Sequence, residues 1–148
     1  MKKTLIILVT LASMAACKIN DKKSKEATLT AEEKEKALTD TTNFTRIEWL
    51  DPTTKDLGKL VKEQTIDMTF RFKNAGDKNL IFENVWAQCG GTIPEKPQKA
   101  FAPGEEGTIK AKYNGLGQGH ISKEIYIKAN IKPNTNDTLR FTGEFDEK

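Results

Sequence analysis

The two cysteines and the single histidine are the side chains of this 148-residue chain best suited to chemistry. One of them, Cys89, lies in the segment WAQCGGTIPEK, directly before Gly90 and Gly91. A nucleophilic cysteine is activated by a neighbouring cation, histidine or helix N-terminus, and the adjacent sequence offers none. We therefore interpret Cys89, Gly90, Gly91 and Thr92 as a structural loop, in which Gly90 and Gly91 are expected to supply positive φ angles for a tight turn. The first alternative is a loop that contacts a partner, and the less favoured alternative is redox or nucleophilic chemistry at Cys89.

His120, Ser122 and Glu124 alternate along a predicted strand and so share one of its faces. These are the residue types of a catalytic triad, but same-face neighbours on a strand are about 6.6 Å apart. Glu124 would lie about 13 Å from the imidazole that it would have to orient. We therefore predict that His120 faces solvent. Because the sequence also lacks a phosphate-binding glycine loop and metal-ligand spacing, we expect no enzyme, metal ion or cofactor.

The first residues, MKKTLIILVTLASMAAC, have the pattern of an export signal, with two lysines, an apolar run and small residues before Cys17. The apolar run is shorter than the roughly 20 residues that cross a bilayer. MAAC resembles the bacterial lipobox, in which the cysteine receives lipid and becomes the mature N-terminus, although Met14 replaces the usual leucine. We expect lipidation of Cys17 and attachment to a membrane. The alternative is an ordinary signal that leaves Cys17 as a plain thiol.

Lipidation of Cys17 would leave Cys89 without a disulfide partner. Removal of Lys2 and Lys3 with the signal leaves 22 basic and 21 acidic residues, a net charge of +1. Nucleic-acid binding requires a concentrated basic surface, so we expect no nucleic-acid partner. The segment KINDKK after Cys17 is not an acidic export tag. This favours an outer-membrane protein that faces the periplasm of a bacterial envelope.

Residues 1–16 are thus predicted to be a lipoprotein signal peptide, and residues 17–43 a lipidated cysteine followed by a polar linker. The linker is rich in lysine and glutamate, and such a composition does not bury enough apolar surface to fold alone. Within it, Thr30 and Glu33 have the spacing of a helix capping box. Either a short helix or plain linker is consistent with this segment, because no apolar stripe is present.

Residues 44–148 are predicted to form a single all-β domain. In TIDMTFRFKN and HISKEIYIKANI, apolar and polar residues alternate with the period of two typical of half-buried strands. TIKAKY and TLRFTGEF repeat the pattern, and weaker strands are predicted near 44–50, 79–86 and 99–102. The turns between them are too short for crossover helices. About seven antiparallel strands in such a domain predict an immunoglobulin-like β-sandwich.

Two tryptophans lie on or beside these predicted strands, Trp49 in FTRIEWL and Trp86 in NLIFENVW. A large apolar side chain at such a position usually packs in the core or at its rim. We therefore predict packing for both tryptophans, with stacking on a ligand as the alternative.

The order of motifs resembles the domain-of-unknown-function family 1573. The resemblance covers about residues 60–146, through FRFKNAGDKNLIFENVWAQCGGTIPEK, FAPGEEGTIKAKYN, GHISKEIYIKAN and LRFTGEF. It implies a bacterial, often lipid-anchored protein with an immunoglobulin-like fold. Family members usually carry Ser-Cys-Gly-Cys-Thr where this chain has QCGGT, so Cys89 and Thr92 match while Gln88 and Gly91 depart. The absent second cysteine removes the partner that a redox or two-thiolate metal role would require.

These observations predict a noncatalytic, lipid-anchored envelope protein whose domain binds another envelope protein or a glycan. A passive structural or assembly component of the envelope is the alternative, and a thiol-redox factor that uses Cys89 is less favoured.

Overall fold

The computed structural model describes residues 30–146. The predicted signal peptide, the lipidation site at Cys17 and the first part of the linker lie outside this range, so those predictions stay as they are. No helix within residues 30–146 is both long and apolar enough to cross a membrane.

The described part of the linker is helical. Helix α1 spans Ala31–Thr39, and a 3-10 turn follows at Thr41–Asn43. The helix begins with the predicted capping box: the Thr30 hydroxyl accepts from the backbone N–H of Glu33, and the Glu33 carboxylate accepts from the backbone N–H of Thr30. None of its side chains is buried, which agrees with the absence of an apolar stripe.

Eight strands follow and form two four-stranded sheets. One sheet has the order β1-β3-β6-β5 and the other β2-β8-β7-β4. All neighbours are antiparallel except β2 and β8, which pair in parallel. The strands are β1 (Ile47–Trp49), β2 (Thr54–Leu60), β3 (Ile66–Asn74), β4 (Phe82–Ala87), β5 (Thr92–Glu95), β6 (Glu106–Tyr113), β7 (His120–Ala129) and β8 (Asn136–Phe145).

The predicted all-β sandwich is confirmed, but the strand count, the direction of one strand pair and three strand positions are corrected. The structure has eight strands rather than about seven, and β2 pairs with β8 in parallel rather than antiparallel. The sequence pattern missed β2 and β5, which are both edge strands and lack a clear apolar alternation. The strand predicted near 99–102 is wrong, because Phe101 makes only an isolated bridge to Leu80. Edge strands bury less side-chain surface than central strands, so burial imposes a weaker sequence pattern on them.

The core lies between the two sheets and is built from the predicted inward positions. Phe70 and Phe72 of β3 pack against the inner faces of β6, β7 and β8. Phe72 makes edge-to-face contacts with three other rings, those of Trp49, Phe82 and Phe101. Fully buried residues also include Ile109, Ile125, Ile127, Leu139 and Phe141.

Two fully buried asparagines join the loops at one end of the sandwich. The Oδ1 atom of Asn74 accepts from the Thr45 hydroxyl at 2.7 Å, and its Nδ2 group donates to the carbonyls of Lys78 and Phe101. Asn130 accepts from the backbone N–H of Ile81 and donates to two further carbonyls, those of Asn43 and Asn79. Both side chains thus replace the water that these backbone groups would otherwise bind.

Two glycines are required by close packing near the same end. A Cβ atom on Gly76 would lie 2.1 Å from the Thr45 hydroxyl and 2.6 Å from the Arg46 nitrogen. A Cβ atom on Gly107 would lie 2.4 Å from the Phe101 ring and 2.5 Å from that of Phe72. Neither glycine has a positive φ angle, so both positions require glycine for space rather than for backbone conformation.

Candidate functional site

The strand registers place the linker and the Cys89 loop at opposite ends of the sandwich. We call the end where the chain enters the linker end; it holds residues 43–46, 75–81, 101–105 and 130–135. The distal end holds residues 61–65, 88–91 and 114–119. Strands of up to ten residues separate the two ends, a length of about 30 Å.

The Cys89 loop is a tight turn at the distal end. The backbone N–H of Thr92 donates to the carbonyl of Cys89 at 3.2 Å, and the Asn114 N–H donates to the Gly91 carbonyl. We expected Gly90 and Gly91 to supply positive φ angles, and that expectation is wrong, since neither has one. At Gly91 a Cβ atom would lie 2.7 Å from the Asn114 side-chain oxygen, so a larger residue there would displace the Asn114 side chain. Gly90 faces open space.

Cys89 itself is half-buried, and its thiol has one hydrogen-bond partner within residues 30–146. The Sγ atom lies 3.6 Å from the Thr92 hydroxyl. Burial, and to a smaller extent the nearby Cys89, raise the pKa of Tyr113. Among the described residues no histidine or cationic group bonds to the sulfur, so this loop has the geometry of a turn rather than of an activated nucleophile.

The three residues on β7 that have the types of a catalytic triad, His120, Ser122 and Glu124, do not contact one another in the structure. The Nδ1 atom of His120 lies 3.2 Å from Glu144 on β8, whereas Glu124 pairs with Arg140 on β8. His120 is exposed, as predicted. Ser122 is exposed and pairs in register with Thr142. The cross-strand partners, rather than same-strand neighbours, therefore decide which groups meet.

An exposed aromatic pair lies on the outer face of the second sheet, beside the Cys89 loop. Trp86 of β4 and Tyr126 of β7 are register partners, and their rings stack with centroids 5.6 Å apart and an interplanar angle of 28°. Trp86 is 38% exposed. A shallow depression is lined by these two rings and by Gln88, the residue before Cys89. We call Trp86, Gln88 and Tyr126 the aromatic surface.

Polar groups beside the aromatic surface are held in a short network. The Tyr126 hydroxyl donates to the Glu124 carboxylate at 2.7 Å and lies 3.3 Å from the Gln88 side-chain oxygen. Glu124 also accepts from Arg140. The Arg140 guanidinium, followed by the Tyr126 hydroxyl, lowers the pKa of Glu124, and the bond to Glu124 raises the pKa of Tyr126. Glu124 is thus held as a carboxylate that orients both neighbours.

The two tryptophans have different roles. Trp49 is partly buried, packs against Phe72, and its indole N–H donates to Asp137 at 2.8 Å. This agrees with the packing interpretation. Trp86 stacks on the half-buried Tyr126 ring and is 38% exposed, which departs from that interpretation. The outward position of Tyr126 follows from the alternation in β7, but its pairing with Trp86 depends on a register that alternation does not reveal.

Residues 30–146 contain no group of three or more histidine, cysteine, aspartate or glutamate side chains placed to hold a metal ion. Exposed apolar side chains occur elsewhere at the distal end, where Val61 is 64% and Leu116 is 57% exposed.

Comparison with solved structures gives the same fold. The chain is similar to a protein of unknown function from Porphyromonas gingivalis W83, with a TM-score of 0.61 and 15% identity over 71% of this chain and 49% of that one. It therefore spans about half the length of that protein. It is also similar to PapD-like domain 7 of human CEP192, with a TM-score of 0.55 and 9% identity over 72% and 89% of the two chains.

The YadV chaperone is a third similar structure, with a TM-score of 0.50 and 14% identity over 68% of this chain and 52% of that one. At these identities the likeness concerns the fold, which is immunoglobulin-like and PapD-like. No curated protein matches the sequence. The family described as "Protein of unknown function (DUF1573)" matches residues 47–145, from the first strand to the end of the last, and the chain therefore belongs to the DUF1573 family.

Proposed function

We propose that this protein is a noncatalytic binding module of a bacterial envelope, held at the outer membrane by lipid on Cys17 and facing the periplasm. Its immunoglobulin-like domain binds another envelope protein or a glycan. The anchor and location rest on the sequence MKKTLIILVTLASMAAC, which has the pattern of a lipoprotein signal.

One observation carries the binding role: the exposed apolar and aromatic side chains lie away from the end where the linker enters. Asn74 and Asn130 close the linker end, while Val61, Leu116 and the Trp86 ring are exposed at or near the other end. A domain tethered at one end presents the opposite end to partners. Exposed aromatic rings with fixed polar neighbours are typical of binding surfaces.

The test is affinity capture of the full-length protein from mildly crosslinked native envelopes, followed by mass spectrometry. Three variants are compared with the wild type: Cys17→Ala removes the anchor, Cys89→Ser removes the thiol, and Trp86→Ala removes the exposed indole. Exposed Asn136→Ala serves as the matched control, because Asn136 lies on the same sheet and its side chain makes no hydrogen bond within residues 30–146.

We expect a discrete partner that Cys89→Ser and Asn136→Ala retain, and that Cys17→Ala and Trp86→Ala lose. Recovery that depends on Cys89 would contradict the proposal and indicate mixed-disulfide chemistry. Recovery of the same background proteins by every variant would also contradict it, and would favour a passive component of the envelope.

A further inference from the structure

We propose that the aromatic surface of Trp86, Gln88 and Tyr126 is a binding site for a neutral sugar chain. This inference rests on the proposed binding function and names its ligand class and site. The axial C–H groups of a pyranose ring form apolar faces that stack on aromatic rings, and its equatorial hydroxyls form a polar edge that hydrogen-bonds to amides and carboxylates.

The position of Trp86 leaves room for such a chain. Strand β4 is the edge of its sheet, so the indole has a neighbouring strand on one side only. Tyr126 stacks on the indole, and Trp86 remains 38% exposed. A chain of sugar rings can therefore extend past the edge of the sheet, and a supported aromatic ring loses little conformational freedom when it binds.

The polar groups suit a hydroxyl-rich ligand. Gln88 lines the depression, and its side-chain nitrogen makes no hydrogen bond within residues 30–146. The Tyr126 hydroxyl has a single hydrogen, which the Glu124 carboxylate takes at 2.7 Å. The Tyr126 oxygen, held in place by the bond to Glu124, and the Gln88 amide consequently remain available as acceptor and donor for sugar hydroxyls.

The charges beside the surface favour a neutral ligand. Lys128 pairs with Glu83 at 3.0 Å, and Arg140 pairs with Glu124. Each acidic group is thus matched by a basic group on the neighbouring strand. A strongly acidic or basic partner would have to separate these existing pairs.

The β4 edge is also poorly suited to an extended peptide. Strand addition requires free backbone groups at the edge. In β4 the Val85 N–H is bound by the Asn84 side chain at 3.0 Å, and the Glu83 carbonyl accepts from Lys96 at 3.2 Å. Side chains of the protein itself therefore occupy two of the groups that a peptide would use.

Tryptophan fluorescence and calorimetry test the inference on the full-length protein in detergent. The probes are neutral hexasaccharides of glucose, mannose, galactose and N-acetylglucosamine, with a hexasaccharide of galacturonic acid as the acidic comparison and one acidic and one basic decapeptide as peptide comparisons. We expect saturable binding of at least one neutral probe with a change in indole emission, and weaker or no binding of the charged probes.

Trp86→Ala is expected to weaken this binding by about tenfold or more, because truncation of a central aromatic contact typically has an effect of that size. Gln88→Ala, which leaves both rings in place, should weaken it by about threefold, the effect of one neutral hydrogen bond. Ile93→Ala, on β5 of the other sheet, is the matched control for loss of an exposed apolar side chain and should leave binding unchanged. Circular dichroism checks that each variant is folded.

Absence of binding by every neutral probe would overturn the inference, as would binding that Trp86→Ala leaves unchanged or preferential binding of a decapeptide. These results are distinguishable from failure of the proposed function. Envelope capture of a protein partner that is lost in Trp86→Ala, without any sugar binding, would refute the sugar ligand and leave the binding module standing.

Discussion

The linker end and the aromatic surface of this domain satisfy their polar groups in different ways. At the linker end, Asn74 and Asn130 are fully buried, and their hydrogen bonds go to the backbone of the loops around them. At the aromatic surface, the amide of Gln88 and the hydroxyl of Tyr126 are organised but remain open to solvent. The first arrangement leaves no group for a partner, whereas the second holds groups ready for one.

The difference shows where this fold uses its polar side chains for stability and where it uses them for recognition. Buried amides are costly when any bond is missing, so the linker end should tolerate few substitutions. Exposed groups cost little when replaced, so substitutions at the aromatic surface should affect binding more than stability. Four predictions, each with its own substitutions, test this contrast and compare it with the rest of the domain.

Asn74→Ala should have the largest effect on stability. It removes the acceptor of the Thr45 hydroxyl and the donor to the Lys78 and Phe101 carbonyls, all in a buried setting. We expect a loss of about 3 to 5 kcal/mol in the free energy of unfolding, measured by urea denaturation. Exposed Asn136→Ala should change it by less than about 0.5 kcal/mol. Similar losses in both variants would contradict the contrast.

Gly107→Ala and Gly90→Ala form a matched pair. The new methyl group would overlap the Phe72 and Phe101 rings at position 107 but would meet open space at position 90. We expect Gly107→Ala to destabilise the domain by about 1 to 3 kcal/mol through overpacking. Gly90→Ala should leave the stability of the domain almost unchanged, because Gly90 does not have a positive φ angle. Thermal unfolding of both variants measures the difference, and equal melting temperatures would refute it.

Asp51→Asn should reveal a pH-dependent contribution at the protein surface. Hydrogen bonds from the Arg71 side chain and backbone lower the pKa of Asp51 to about 2. A carboxyl group whose pKa is lowered on folding stabilises the folded state above its unfolded pKa, near 3.9. That contribution is lost as the pH falls through the folded value.

The wild type should therefore be more stable than Asp51→Asn at pH 7, and the difference should narrow between about pH 4 and pH 2. Urea midpoints at a series of pH values measure this. Glu124→Gln, beside the aromatic surface, is the comparison variant. Arg140 also lowers the pKa of Glu124, so the stability difference between the wild type and Glu124→Gln should narrow in the same direction as the pH falls. A gap between wild type and Asp51→Asn that does not change with pH would show that Asp51 acts through shape rather than charge.

Cys89→Ser should have the smallest effect. The thiol is half-buried and its contact within residues 30–146 is the Thr92 hydroxyl at 3.6 Å, which a serine hydroxyl can replace. We expect a change of less than about 0.5 kcal/mol in stability. Labelling of Cys89 by an alkylating reagent should proceed at the rate of an ordinary thiol peptide. Fast labelling near neutral pH would instead support thiol chemistry at this loop.

Alternation of apolar and polar residues was sufficient to predict the central strands and the core. The inward positions of β3, β6, β7 and β8 are buried as expected, because each of these strands faces the core with every second side chain. Strands β2 and β5 were not predicted, because edge strands bury fewer side chains and therefore show a weaker alternation of apolar and polar residues. The function of Asn74 was also hidden, since a turn asparagine and a buried amide have the same sequence pattern.

The sequence by itself determined the fold class, the face of each central strand and the absence of a second cysteine from the Cys89 loop. These are local properties, set by burial of one strand face or by residue type alone. Only the tertiary structure decided that Trp86 stacks on Tyr126, that Glu124 pairs with Arg140 rather than His120, and that the Cys89 loop lies opposite the linker. Register and loop placement depend on contacts between residues distant in sequence, and short-range patterns do not encode them.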